Sequence, residues 1–268
     1  MLIINHNKGR LGNSIFRLLA NIVFLIVYDT DGEIKYNYIK HNIEINDEYF
    51  VNWSNEILNG KIPDIKKTSV LYFTGFYQHD KIFIHFKNQI IDYINNHNNL
   101  LLLTDRNETY NASYLIKYEL QKKYDIIVHL RLEDFIEINQ VLNPLSICRI
   151  LDEIDVTKNY NNICFVVNKP KKEMELKYID FFKKRYNTVI ESNEPIEDYN
   201  IMKNAEILIC SYSTLSWCAA FFSDSNKCVY IPNYKTSLHQ SFKTINNTIL
   251  YDCEFCSIEK LNSILSET

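Results

Sequence analysis

Short, nearly continuous apolar runs alternate with amphipathic stretches along most of this chain. Residues 2–5 (Leu-Ile-Ile-Asn) read as a buried strand, and residues 9–12, bounded by Gly9 and Gly12, as a turn. Over residues 14–28, apolar side chains at Ile15, Leu18, Leu19, Ile22, Phe24 and Leu25 keep close to helical spacing. A strand is expected at 70–74 and a helix at 83–94, while the polar, mixed segment 95–124 reads as a linker or domain-swap region. Beyond it the rhythm is regular. Strands are expected at 125–130, 162–167, 187–190, 205–210 and 227–231, separated by helices at 144–153, 171–185, 196–203 and 214–222. Pro144 suits a first helical turn, where its missing N–H has no partner to lose. Apolar strands that alternate with helices predict parallel sheets covered on both faces. The pattern recurs at both ends of the chain. The expected fold is therefore α/β: two Rossmann-like domains, residues 1–120 and 121–268, with parallel sheets facing across a cleft.

Composition narrows the functional classes. With 46% hydrophobic and 13% aromatic residues in 268, the chain can bury a full core, which excludes a disordered or collagen-like protein. A net charge of −4 argues against a general nucleic-acid binder, so an anionic ligand must be held by locally placed Arg and backbone N–H groups. Seven irregularly spaced cysteines do not form a disulfide framework and point to a reducing compartment. No cleavable leader is legible in residues 1–10, and the longest apolar stretch, 15–28, is interrupted by Arg17 and Asn21. The expectation is a soluble, cytoplasmic protein without a transmembrane segment. Sequons at Asn52, Asn107, Asn111 and Asn246 carry no weight in a chain this rich in Asn.

Four segments carry candidate chemistry, and each falls where a strand gives way to a helix or loop. Ligands of open α/β sheets bind there, beyond the carboxyl ends of strands. Gly9-Arg10-Leu11-Gly12-Asn13 allows a tight turn and a close backbone approach ahead of a helix N-terminus, although it is neither a Walker loop nor a full dinucleotide fingerprint. In His129-Leu130-Arg131-Leu132-Glu133-Asp134, the two-residue period puts His129 and Arg131 on one face, fit to hold a base and a phosphate; the plainer reading is an Arg131–Asp134 ion pair. The run from Ser211 to Ala220 opens with Ser211, Ser213 and Thr214, either a neutral phosphate cradle or simple caps of an apolar helix. Asp198 could accept hydrogen bonds from a guanine edge; by itself it reads as a surface carboxylate near a helix start, whose loss costs little stability.

Taken in order, Gly-Arg-Leu-Gly-Asn at 9–13, Thr-Gly-Phe-Tyr-Gln at 74–78, His-x-Arg-x-x-Asp at 129–134 and Ser-x-Ser-Thr-x-Ser-Trp-x-Ala-Ala at 211–220 resemble the alpha-1,2-fucosyltransferases. They are more distantly similar to protein O-fucosyltransferases and alpha-1,6-fucosyltransferases. The resemblance runs from about residue 7 to residue 232, and its first and last motifs are the specific ones. It implies a GT-B-like fold and an inverting, metal-independent transfer of fucose from GDP-fucose to a glycan hydroxyl, with no further cofactor. It implies His129 and Asp198 near guanine, Arg131 on the diphosphate, Ser213 and Thr214 lining the phosphate site, and Arg10 and Asn13 facing the fucose and the reacting centre. Gly12 and Asp134 complete the expected donor site. Leu132 stands where the family usually has a second Arg, and Glu133 where it often has Gly.

Two alternatives compete. Asp29-Thr30-Asp31 after an apolar run is a pattern with which GT-A enzymes hold Mn²⁺ and a nucleotide diphosphate, though here the preceding run reads as helix and the pair as a solvated loop. Leu132 in place of Arg would also suit a nucleotide- or carbohydrate-binding protein without catalysis. Cys253-x-x-Cys256 lacks the second pair that a structural zinc needs, and Lys169, Lys171 and Lys172 read as a solvated helix start.

Overall fold

Leu2–Asn5 forms strand β1, and the chain turns through Gly9 into helix α1 (Leu11–Val27). The computed structural model describes residues 1–6, 9–30, 32–36, 42–66, 68–117, 124–157, 162–233 and 247–266. The chain divides into two units, Met1–Tyr118 and Glu119–Thr268, each with its own parallel sheet, and the class is α/β as expected. No helix among the described residues is long and apolar enough to cross a membrane.

In the first unit, α1 leads to β2 (Glu33–Lys35), β3 (Ile43–Ile45), α2 (Asp47–Leu58) and β4 (Val70–Phe73). Then come α3 (Asp80–His85), α4 (Lys87–Asn96), β5 (Leu101–Leu103), β6 (Thr109–Asn111) and α5 (Tyr114–Lys117). The four-stranded sheet has the order β2-β1-β4-β3, all parallel. Helix α1 starts at Leu11, three residues before the expected position, because Arg10 is extended and its carbonyl already accepts from the Ser14 N–H. It is buried almost all round from Leu11 to Leu25, so its apolar stripe widens into a complete sheath. Phe24 stacks on Trp53 with ring centroids 3.8 Å apart and meets Phe73 edge-on at 5.2 Å, which locks α1 to α2 and the sheet.

Three expectations change here. Helix 83–94 is two helices, broken at Phe86, which caps the end of α3 and the start of α4. Residues 95–124 are not simply a linker: β5 and β6 pair antiparallel, Leu102 is fully buried, and the Ser14 hydroxyl donates to the Leu103 carbonyl. Helix α2 was not anticipated, although Asn46 caps it by accepting from the Tyr49 N–H and Asp47 and Glu48 occupy its first turn.

The second unit runs β7 (Ile126–Leu130), α6 (Glu133–Glu137), β8 (Val141–Leu142), α7 (Pro144–Thr157), β9 (Ile163–Val167), α8 (Glu173–Arg185), β10 (Thr188–Glu191) and α9 (Pro195–Lys203). It continues with β11 (Ile207–Ile209), α10 (Thr214–Phe222), β12 (Cys228–Asn233), β13 (Thr248–Asp252), β14 (Phe255–Cys256) and α11 (Ile258–Ser266). The six-stranded sheet has the order β10-β9-β7-β11-β12-β13, every pair parallel. Numbered from β7, this is 3-2-1-4-5-6, the order of a Rossmann sheet. Its strand order reverses between β7 and β11, and the loops leaving those two strands carry the third and fourth sequence motifs. Among the core side chains are Val128, Phe165, Phe182 and Ile209, none more than 1% exposed.

Phe24→Ala should remove the stack that joins α1 to α2. The expected loss is about 3–5 kcal/mol in denaturant unfolding of the first unit; a loss under about 1 kcal/mol would mean that this contact does not organise the core.

Candidate functional site

The first unit brings two of the sequence motifs together at the carboxyl ends of the adjacent strands β1 and β4. Gly9 has φ +91°, and a Cβ there would lie 2.9 Å from Asn13 Cβ and 3.2 Å from the Phe76 ring, so the turn has room only for glycine. Asn13 Oδ1 accepts from Gln78 Nε2 at 3.4 Å, which links the two loops. The Asp47 carboxylate fixes the second loop from below, accepting from the N–H groups of Phe76 (2.9 Å) and Tyr77 (2.6 Å). Tyr77, at φ +55°, is held in that uncommon conformation by its hydroxyl, which donates to the Ile45 carbonyl and accepts from the Gly75 N–H. Gly12 is buried in the first turn of α1, and Arg10 precedes it, half-buried.

The second unit builds its group around the strand-order reversal. His129, in the central strand β7, is 4% exposed, and its Nδ1 lies 2.7 Å from the hydroxyl of Ser211, the second residue beyond β11. Burial, and then the positive charge of Arg131, push the His129 pKa down to about 3, so the imidazole is neutral at physiological pH. Arg131 Nη2 bonds both carboxylate oxygens of Asp134, at 2.9 and 3.1 Å, and the guanidinium also lies over the Phe135 ring. The ion pair read from the sequence is therefore present. His129, Arg131, Ser211 and Tyr212 share the lining of one hollow with Leu132, Phe135 and Tyr178. Glu133 takes φ +30°, a conformation that suits glycine, the residue often found at this place in the family that the motif resembles.

Ser213 is the N-cap of α10, its Oγ accepting from the Leu215 N–H at 3.3 Å, and Thr214 is the first helical residue. Capping thus occupies the Ser213 side chain. It does not satisfy all the N–H groups of the first turn, which have no carbonyl one turn back. Ser211, Tyr212 and Ser213 line a second hollow with Trp217, Ile231 and Pro232.

Asp198 departs from its expected surface position. It is 6% exposed in the first turn of α9, because the helix turns this face inward against the loop after β10. Its Oδ1 accepts from the Asn193 backbone N–H (3.1 Å) and side-chain amide (3.2 Å); the same amide reaches Glu191, which also accepts from the Tyr124 hydroxyl. Desolvation raises the Asp198 pKa to about 7; the Asn193 bonds oppose the rise, and the charges of Glu191 and Glu197 add to it. Among the described residues, no hydrogen bond joins Asp198 to His129 or Arg131. Glu191, Asn193, Asp47 and Ser211's bond to His129 were not foreseen. Only Asp47, after an Asn cap, left a local signal.

Asp29 lies just beyond α1 with φ +44°, so the run before it is a helix, and Asp31 falls outside the described residues. Among the described residues, no cluster of three His, Cys, Asp or Glu side chains could hold a metal ion. Cys253 is half-buried and Cys256 buried, both as free thiols, and Lys172 pairs with Glu137.

No family model and no curated protein matches the chain. Among solved structures, POFUT1 in complex with GDP matches 85% of this chain and 96% of its own, at 13% identity and a TM-score of 0.47. An Arabidopsis thaliana FUT1 mutant in complex with GDP matches 82% of this chain and 68% of its own, at 10% identity and a TM-score of 0.43.

The Asp198 shift has a definite sign. A carboxyl group whose folded pKa lies above its unfolded value binds more protons in the folded state, so its contribution to stability falls as pH rises from about 4 to about 7 and is constant above. Asp198→Asn keeps the acceptor for Asn193 and removes the charge. It should be more stable than the unmodified chain at pH 8 and lose that advantage near pH 4, read by urea unfolding at both values; a variant less stable at pH 8 would contradict the buried, raised carboxyl.

Proposed function

We propose that this chain is an inverting glycosyltransferase that takes a sugar from a GDP-sugar and places it on a glycan hydroxyl, with fucose as the sugar and no divalent metal in the step. The observation that carries the reading is the meeting of His129-x-Arg131 with the Ser211–Thr214 segment where the strand order of a Rossmann sheet reverses. Such reversals form the crevice in which nucleotides bind. The order and content of the motifs, from Gly9-Arg10 to Ala219-Ala220, supply the donor class through their resemblance to alpha-1,2-fucosyltransferases.

In the proposed reaction, the acceptor hydroxyl attacks the anomeric carbon as that carbon's bond to the diphosphate oxygen breaks, the hydroxyl proton passes to water, and the departing GDP gains negative charge. Arg131 is fixed by Asp134 and Phe135, so its charge is held in place before that change, and the N–H groups at the start of α10 offer oriented dipoles. Asp198 is assigned to the base of the nucleotide, with His129, Ser213, Thr214 and Gly12 beside the donor, and Arg10 and Asn13 to the sugar. An ionised Asp198 accepts hydrogen bonds from guanine, so affinity for GDP should rise with pH through about 7.

A thermal-shift panel of GDP, UDP, ADP and CMP tests the donor. Ligand at 100 times its Kd adds about 2.7 kcal/mol, which at this size raises the Tm by roughly 2–4 °C. GDP should stabilise and the other nucleotides should not; a preference for UDP would overturn the donor assignment, transfer abolished by EDTA, restored by Mn²⁺ and lost in Asp29→Asn or Asp31→Asn would favour the metal-dependent alternative, and no response at all would favour a protein without catalysis.

Arg131→Ala should lower turnover by at least about 10²-fold, and Arg131→Lys should also be damaging, because an ammonium cannot reproduce the guanidinium fork. If Arg131→Ala and Asp134→Ala lost equal, modest stability while transfer per folded molecule stayed normal, the pair would be structural only.

A further inference from the structure

His129 is a buried, neutral imidazole, so only one of its two ring nitrogens carries a proton, and its neighbour decides which. That neighbour is Ser211. Its hydroxyl lies 2.7 Å from Nδ1, and among the described residues it makes no other hydrogen bond. If Nδ1 carried the proton, Ser211 would accept, and its own O–H would be left without an acceptor at a position only 5% exposed. If Ser211 donates, both groups are satisfied, and the ring proton sits on Nε2.

The backbone leaves Ser211 little freedom to do otherwise. The preceding residue, Cys210, is tied to both sides, its N–H donating to the Tyr230 carbonyl and its carbonyl accepting from the Tyr251 hydroxyl. The Ser211 carbonyl accepts from the Ser213 N–H at 2.8 Å, inside the turn that starts α10. The hydroxyl is thus delivered to His129 by the sheet on one side and by the helix start on the other. Among the described residues nothing takes a hydrogen bond from His129 Nε2, and the ring lines the hollow that Arg131 also lines.

We propose that Ser211 is a positioning residue: by donating to Nδ1 it fixes His129 as an Nε2–H donor that, beside the Arg131 guanidinium, receives an anionic phosphate oxygen of the nucleotide. The ligand half of this proposal rests on the nucleotide reading above; the tautomer half does not. It also moves His129 from the base of the nucleotide, where the motif resemblance puts it, to the diphosphate.

The test uses the full chain with ¹⁵N-labelled histidine and long-range ¹H–¹⁵N correlation, the His129 signals being assigned by their loss in His129→Gln. Without nucleotide, His129 should show an unprotonated Nδ1 and a protonated Nε2, unchanged from pH 6 to pH 8. Ser211→Ala should release the ring into a mixture of tautomers and weaken GDP binding by about 5–10-fold, and Ser211→Thr, which keeps the hydroxyl, should restore both. Inorganic pyrophosphate added to the unmodified chain should shift the Nε2–H signal. A protonated Nδ1 in the unmodified chain overturns the proposal whether or not GDP binds. An Nε2–H signal that neither pyrophosphate nor GDP moves overturns the donor role. If pyrophosphate moves it while no nucleotide stabilises the chain, the donor role stands and the nucleotide reading fails.

Discussion

Parallel pairing is the constraint from which the rest follows. All strands of the second unit's six-stranded sheet run in one direction, so their carboxyl ends share one edge, and the residues just beyond that edge leave the ladder with polar groups to satisfy. β7 lies between β9 and β11, both faces covered, and its sequence Ile-Ile-Val-His-Leu carries an imidazole into that interior. A buried ring nitrogen without a partner costs about 1–3 kcal/mol. Ser211, supplied beyond the neighbouring strand, removes that cost and at the same time gives the ring a definite orientation. The one bond thus settles a buried polar atom and fixes the ring, which accounts for a polar residue in an otherwise apolar strand.

The first unit solves a similar problem with a carboxylate. Asp47, at the start of α2, is favoured there by the helix dipole, and its Oδ1 accepts from the N–H groups of both Phe76 and Tyr77. The loop after β4 is thereby anchored to a different helix from the one it leads into. Through Gln78 and Phe76 the anchored loop sets the space available to Gly9 and Asn13. In both units a motif legible as a string of letters is, in three dimensions, one side of a contact between two segments distant in sequence.

The second unit is more legible in sequence than the first because its central strands are buried almost throughout. Residues 126–130, 163–167 and 207–209 are almost wholly buried and read as continuous apolar runs. In the first unit β2 is Glu-Ile-Lys and β3 is Ile-Glu-Ile, three-residue edge strands with too few apolar positions to show a period. Helix α10 was read with both ends correct, since a cap and an unbroken apolar run coincide there. Arg131 and Asp134 were legible as a pair because they are three residues apart. Asp198 was placed on the surface because its burial depends on Asn193 and Glu191 folding over it, a relation that no local pattern encodes. The bond between Ser211 and His129 spans 82 residues and is invisible to any window along the chain.

The charge arrangement in the second unit also bears on how fast an anion would arrive. His129 is neutral, the Arg131 guanidinium is already countered by Asp134, and the chain as a whole carries a net charge of −4. Seen from several Debye lengths away, such a surface offers a diphosphate no attraction; its donors act through oriented dipoles, whose field decays faster with distance than that of a free charge. The net charge of −4 repels an approaching anion, so added salt, which screens that repulsion, would raise the association rate constant and not lower it. The discrimination that this hollow can exert is accordingly stored in how long a ligand stays, and hardly at all in how quickly it comes.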